Sequence, residues 1–131
     1  MDRLPLTRVD IEIANNVWWD DAFQFGDPND FTWTLTGLTF YLGIKHTDDD
    51  AAPFITYTSA AGQIVVQDPI NRILGMLVPD TTIRNGAAGL AALPPGKYVY
   101  DLLMVATSNG QTDGLMYGEL HVRQGVTIGP S

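Results

Sequence analysis

Two-residue alternation dominates this chain. Leu38, Phe40, Leu42 and Ile44 fall on one side of an extended segment, and Thr39, Tyr41, Gly43 and Lys45 on the other. Successive side chains of a strand face opposite ways, so the segment predicts a half-buried β-strand. Val9, Ile11 and Ile13 alternate with Asp10, Glu12 and Ala14 and predict another. Tyr98, Tyr100, Leu102, Met104 and Ala106 alternate with Val99, Asp101, Leu103, Val105 and Thr107. Both of these sets are apolar at their middle, which predicts a central strand covered on two sides. Tyr117, Glu119, His121 and Arg123 oppose Gly118, Leu120 and Val122 in a fourth strand. Shorter strands are expected at 31–35, 54–58, 64–67 and 70–78.

Turn chemistry separates these segments. Asp27-Pro28-Asn29-Asp30, Ala61-Gly62, Asp68-Pro69 and Pro94-Pro95-Gly96 read as turns, and Asp48-Asp49-Asp50 opens a polar loop ending at Pro53. The segment from Ser108 to Gly114 holds Asn-Gly and Asp-Gly pairs, which favour the positive φ of hairpin turns. One stretch differs. Asp80 reads as a helix N-cap, and Ile83, Ala87, Leu90 and Ala91 recur at helical spacing. Gly86 and Gly89 weaken that helix by roughly 1 kcal/mol each relative to Ala. The expected fold is all-β: an Ig-like antiparallel β-sandwich of about seven to nine strands. It includes one short helical segment near residues 80–92. A single domain spans 1–131, with 1–6 and 125–131 as loose or partner-pairing ends.

Composition narrows the function classes. Fifteen acidic and seven basic residues give a net charge of −8, which argues against nucleic acid as a partner. Hydrophobic residues reach 45% and charged residues only 17%, so the chain is expected to fold rather than stay disordered. No apolar run approaches the roughly 18 residues of a membrane-spanning helix, and Met1-Asp2-Arg3-Leu4-Pro5-Leu6 has no signal-peptide pattern. There is no Cys, which removes disulfides, thiolate metal sites and Cys nucleophiles.

Candidate chemistry is sparse. His46 and His121 lack a metal-ligand spacing, and His121 sits on a polar strand face between Glu119 and Arg123. Neighbouring Asp side chains in an extended loop point apart, so Asp48 to Asp50 read as a solvated loop rather than a calcium site. Asp20-Asp21 beside Trp18-Trp19 suggests a glycosidase carboxylate pair, but no partner carboxylate can be named. Gly86-Ala87-Ala88-Gly89 has no P-loop context. Neither a catalytic residue, a metal site nor a cofactor is expected. The aromatic cluster says more. Trp18, Trp19, Phe23, Phe25, Phe31 and Trp33 are six of the chain's 13 aromatic residues. Phe23/Phe25 and Phe31/Trp33 read as core. Trp18 and Trp19 face opposite ways on an extended chain, so one of them faces a partner, a second core layer or solvent. Trp18, Trp19, Asp20, Phe23 and Phe25 form the candidate interface.

From Gly96-Lys97-Tyr98-Val99-Tyr100-Asp101-Leu102 onward the sequence resembles a group of small bacteriophage structural domains. That group is similar to the N-terminal domain of upper baseplate proteins and tail-fibre-attachment proteins. The pattern runs through Leu35-Thr36-Gly37, a strand like 38–45, an Asp- and Ala-rich loop, and Leu93-Pro94-Pro95-Gly96. It closes on Gly118-Glu119-Leu120-His121-Val122 and Val126-Thr127, and spans roughly residues 7 to 128. The family-pattern residues are Leu35, Thr36, Gly37, Gly96, Tyr98, Tyr100, Asp101, Leu102, Gly118, Leu120 and Val122. The resemblance implies a non-enzymatic virion protein, made in the host bacterial cytoplasm, that attaches larger parts in a tail, baseplate or fibre. Its implied partners are other virion proteins and copies of itself in a trimer or ring, with no nucleic acid and no membrane. A capsid decoration or head-fibre protein fits the same resemblance. A carbohydrate-binding module using Trp18, Trp19 and Tyr57 is the alternative of another class.

Overall fold

The alternating segments pair into two sheets. In chain order the strands are β1 (Thr7–Arg8), β2 (Ile11–Ala14), β3 (Ala22–Gln24), β4 (Leu38–Lys45), β5 (Ile55–Thr58), β6 (Ile64–Asp68), β7 (Ile73–Met76), β8 (Gly96–Ala106) and β9 (Thr112–Arg123). Helix α1 (Asp80–Asn85) lies between β7 and β8. The structure is a computed structural model and describes residues 7–26, 33–47 and 49–127. The larger sheet runs β1-β9-β8-β4-β5, with β2 also on β9, and the smaller sheet runs β3-β7-β6. Together they form a β-sandwich with nine strands among the described residues. The pairing is antiparallel except at one edge, where β1 and β2 both run parallel to β9.

The core follows the alternation. Phe40, Leu42 and Ile44 of β4 are fully buried, as are Ile55 and Tyr57 of β5 and Leu102 of β8. Ile64, Leu74 and Met76 join them from the smaller sheet. Each such aliphatic or aromatic side chain contributes roughly 1.5–3 kcal/mol by leaving water. β4 and β8 keep register from Leu38↔Ala106 to Lys45↔Val99. Between β8 and β9 the register shifts: Leu102 faces Met116 but Leu103 faces Gly114. The extra residue, Leu115, makes a bulge, so Leu115 and Met116 both enter the core despite being neighbours. Asp113-Gly114 lies inside β9 rather than in the turn.

Several expectations are corrected. The strand expected at 70–78 is only Ile73–Met76, because Arg72 turns the chain at φ 58°. Arg72 is completely buried, and its Nε donates to the Phe25 carbonyl at 2.9 Å. Its Nη1 donates to the Trp33 carbonyl at 3.2 Å, and the guanidinium lies 5.2 Å from the Trp33 ring centre. These bonds to both flanks hold a backbone conformation that bulky residues rarely adopt. No strand forms over 33–35; Trp33 and Leu35 are instead buried from irregular chain, and Phe31 lies outside the described residues. The Asp27–Asp30 turn is also outside them.

The helix stops at Asn85 rather than near 92. Gly86 adopts φ 76° and its N–H donates to the Thr82 carbonyl. Pro79, not Asp80, holds the N-cap position, and no side chain caps it. Asp80 sits in the first turn and accepts from Arg84 at 2.7 Å, an i,i+4 pair. Ile83 is the buried anchor of this helix. Finally, the two faces of β8 differ: Tyr98, Tyr100, Leu102 and Met104 are buried, whereas the outward Val99, Leu103 and Val105 are only half-buried and Asp101 is exposed.

Candidate functional site

The candidate interface residues divide by burial. Trp19 is 1% exposed and Trp18 53%, so the alternation sends one indole into the core and the other to solvent. Trp19 bridges Val78 on the way into the smaller sheet, and its indole N–H donates to Asp21 at 2.8 Å. Its ring meets Tyr57 edge-on at 6.1 Å. Phe25 is buried and Phe23 half-buried against the same core, whereas Asp20 is exposed. Trp19 and Phe25 are therefore core residues in this chain, a correction to the interface set. Trp18 and Asp20 retain the exposure that an interface needs.

Trp18 is presented from a braced turn. Asn15 is buried, accepts from the Gly125 N–H at 2.9 Å and donates to Gln124 at 3.2 Å. The Asn16 amide donates to the Thr127 carbonyl at 2.7 Å. Arg84 reaches from α1 to the Asn15 carbonyl at 3.1 Å. Val17 (54% exposed), Trp18 and Val126 (99% exposed) thus flank one hydrogen-bonded corner. Residues 125–127 are tied to the N-terminal strand there; 1–6 and 128–131 lie outside the described residues.

The family-pattern residues converge. Gly96 pairs with Val122, Tyr98 with Leu120, Tyr100 with Gly118 and Leu102 with Met116. Motifs about twenty residues apart are thus cross-strand partners on β8 and β9. The Tyr98 hydroxyl donates to the Pro94 carbonyl and the Tyr100 hydroxyl to the Val9 carbonyl, both at 2.5 Å. Burial raises both phenols above their ordinary value of 10.0. Gly118 lies under the crossing N-terminal segment: a Cβ there would sit 2.2 Å from the Val9 carbonyl oxygen. Leu35 is buried and donates to the Pro69 carbonyl at 2.9 Å; Thr36 donates to the Thr34 hydroxyl at 3.3 Å. The Gly37 carbonyl accepts the Thr107 N–H at 3.1 Å.

Asp101 behaves differently from the rest of the pattern. Its side chain points to the outer face and makes no hydrogen bond or ion pair among the described residues. Partial burial in a groove pushes its carboxyl above 3.8, against the pull of nearby Lys45. The groove, about 470 Å³, is lined by Arg8, Gly43, Lys45, Pro53, Asp101 and Tyr117 among others. Burial alone would not have found it; the signal was an unexplained acid amid outward apolar positions of β8.

The remaining polar candidates have local structural roles. His46 stacks on Phe54 at 4.2 Å, and Asp50 closes its loop by accepting the His46 and Thr47 N–H groups. Asp48 lies outside the described residues. His121 is exposed on β9. Among the described residues no three His, Asp or Glu side chains converge as a metal site would require, and no helix is long and apolar enough to cross a membrane.

No protein-family model matches the chain, and no curated protein matches it. Solved structures do match, among them the crystal structure of CopC from Methylosinus trichosporium OB3b. That alignment has 13% identity and a TM-score of 0.43, covering 92% of this chain and 89% of that one.

Proposed function

We propose that this protein is a non-enzymatic structural component of a bacteriophage virion, an attachment or adaptor part of a tail, baseplate or fibre. The observation that carries this reading is the ordered residue pattern from Leu35 to Val122, whose β8 and β9 members are cross-strand partners. Most of its residues build the sheet and its N-terminal crossing, which supports a scaffold role rather than chemistry. The braced corner of Val17 and Trp18 supports contact with a neighbour, because an exposed, positioned indole is a typical interface anchor. Its partners are other virion proteins, and symmetric copies in a trimer or ring suit such a role. A capsid decoration or head-fibre protein uses the same features. The carbohydrate-binding alternative built on Trp18, Trp19 and Tyr57 loses its platform, since Trp19 and Tyr57 are buried.

Gold-labelled antibody against the chain, applied to purified phage particles and viewed by electron microscopy, tests the proposal. Label at tail tip or fibres is expected. Label over the capsid moves the role to decoration. Absence of label, with the chain missing from the particles' mass spectrum, refutes a virion role.

A further inference from the structure

The outer face of the larger sheet carries a groove with its own logic. Four residues line up across it: Arg8, Tyr117, Asp101 and Gly43, on β1, β9, β8 and β4 in register. Lys45 and Glu119 occupy the next row, flanking Val99. Gly43 lets Pro53 and Asp101 approach the floor closely. A Cβ there would lie 3.0 Å from Pro53 Cγ and 3.6 Å from Asp101 Oδ1, so any side chain would crowd both. Tyr117 is 39% exposed on one side, and Pro53 stands beside Gly43 on the other. Two interstrand spacings, roughly 10 Å, separate Tyr117 from Gly43.

The polar groups are divided in a telling way. Arg8 and Glu119 are satisfied by each other at 3.2 Å, and Glu119 also takes Lys97 at 2.9 Å. The side chains of Asp101 and Lys45 make no hydrogen bond or ion pair among the described residues. One acceptor with two free oxygens and one donor with three N–H groups therefore face the same space. The four charged lining groups, Arg8 and Lys45 against Asp101 and Glu119, sum to zero. A phosphate would meet the two carboxylates, and a cation the two bases. A neutral ligand rich in hydroxyls meets neither conflict, because each hydroxyl both donates and accepts. The exposed Tyr117 ring supplies a flat apolar face whose negative quadrupole suits the C–H faces of a sugar ring. The volume lies within the range of small-ligand sites, about 300–1,000 Å³.

We infer that this groove binds a neutral saccharide unit, with Asp101 and Lys45 holding its hydroxyls and Tyr117 stacking on its ring. The site is separate from the Trp18 corner and does not depend on the virion assignment. Amide chemical-shift titration of the intact chain tests it. The probes are the methyl glycosides of glucose, galactose, mannose and rhamnose, and N-acetylglucosamine. At least one is expected to give saturable shifts at Gly43, Val99, Asp101 and Tyr117, with a dissociation constant of about 1 mM or tighter. Asp101→Ala should weaken that binding about tenfold, the loss of one charge-assisted hydrogen bond. Tyr117→Ala should abolish it, and Trp18→Ala should leave it unchanged. Asp101 and Tyr117 are exposed, and retained shift dispersion verifies that each variant still folds. No saturable shift with any of these sugars overturns the inference. So does binding left undiminished by Asp101→Ala, or shifts produced only by the cationic peptide Gly-Arg-Gly.

Discussion

Replacing Gly118 with alanine probes a place where two backbones nearly touch. The added Cβ would lie 2.2 Å from the Val9 carbonyl oxygen and 2.9 Å from Asp10 Oδ1. A backbone carbonyl cannot rotate away as a flexible side chain can, so the segment between β1 and β2 must lift. Overpacking of this kind costs about 1–3 kcal/mol. Lifting also weakens two hydrogen bonds: Tyr100 to the Val9 carbonyl at 2.5 Å, and the Val9 N–H to the Tyr117 carbonyl at 2.8 Å. Each is worth about 0.5–1.5 kcal/mol, so the total loss is roughly 2–6 kcal/mol. For a chain of this size that lowers the melting temperature by about 8–24 °C. Urea denaturation of Gly118→Ala, Tyr100→Phe and the double variant measures it. If the geometry is right, Tyr100→Phe costs less in the alanine background, because the bond it removes is already strained. A Gly118→Ala variant within about 0.5 kcal/mol of the parent, or strict additivity in the cycle, would refute the reasoning.

Three further predictions follow from buried or paired polar groups. The Tyr57 hydroxyl is buried without a hydrogen-bond partner among the described residues, and burial pushes its pKa up to about 12. Tyr57→Phe should therefore stabilise the fold by about 1 kcal/mol in urea, whereas a loss would mean that the hydroxyl is bonded after all. Arg72→Met keeps the bulk but orphans the Phe25 and Trp33 carbonyls, and should cost at least about 2 kcal/mol in thermal unfolding; an unchanged melting temperature would sink that account. The carboxyls of Asp10, Asp68 and Asp80 are held below 3.8, chiefly by the Glu119 N–H, the Asn71 side chain and Arg84 respectively. Their contribution is complete above pH 3.8 and is lost as pH falls through their lower folded values. Asp101, raised by burial, acts in the opposite sense, so Asp101→Asn should raise stability at neutral pH relative to pH 3. Denaturation midpoints at the two pH values decide this.

Periodicity alone determined most of the larger sheet. β4, β8 and the core of β9 follow from strict alternation, because one face of each must be apolar wherever a sheet covers a core. Alternation also separated Trp18 from Trp19, although it could not say which one turned inward; the bridge to Val78 decides that. Only the tertiary structure decided the rest, because the decisive contacts join residues far apart in sequence. The buried Arg72 reads as a surface charge until its carbonyl partners, 39 and 47 residues away, come into place. The strand expected at 70–78 was shortened by that same residue, since hydrogen bonds to distant backbone outweigh local propensity. The bulge at Leu115 shifts the register of β9 against β8, which no local pattern announces. The outer groove exists because β1, β9, β8 and β4 place Arg8, Tyr117, Asp101 and Gly43 side by side. A linear sequence states which faces are apolar; it does not state which strands will be neighbours, and a binding surface is made of neighbours.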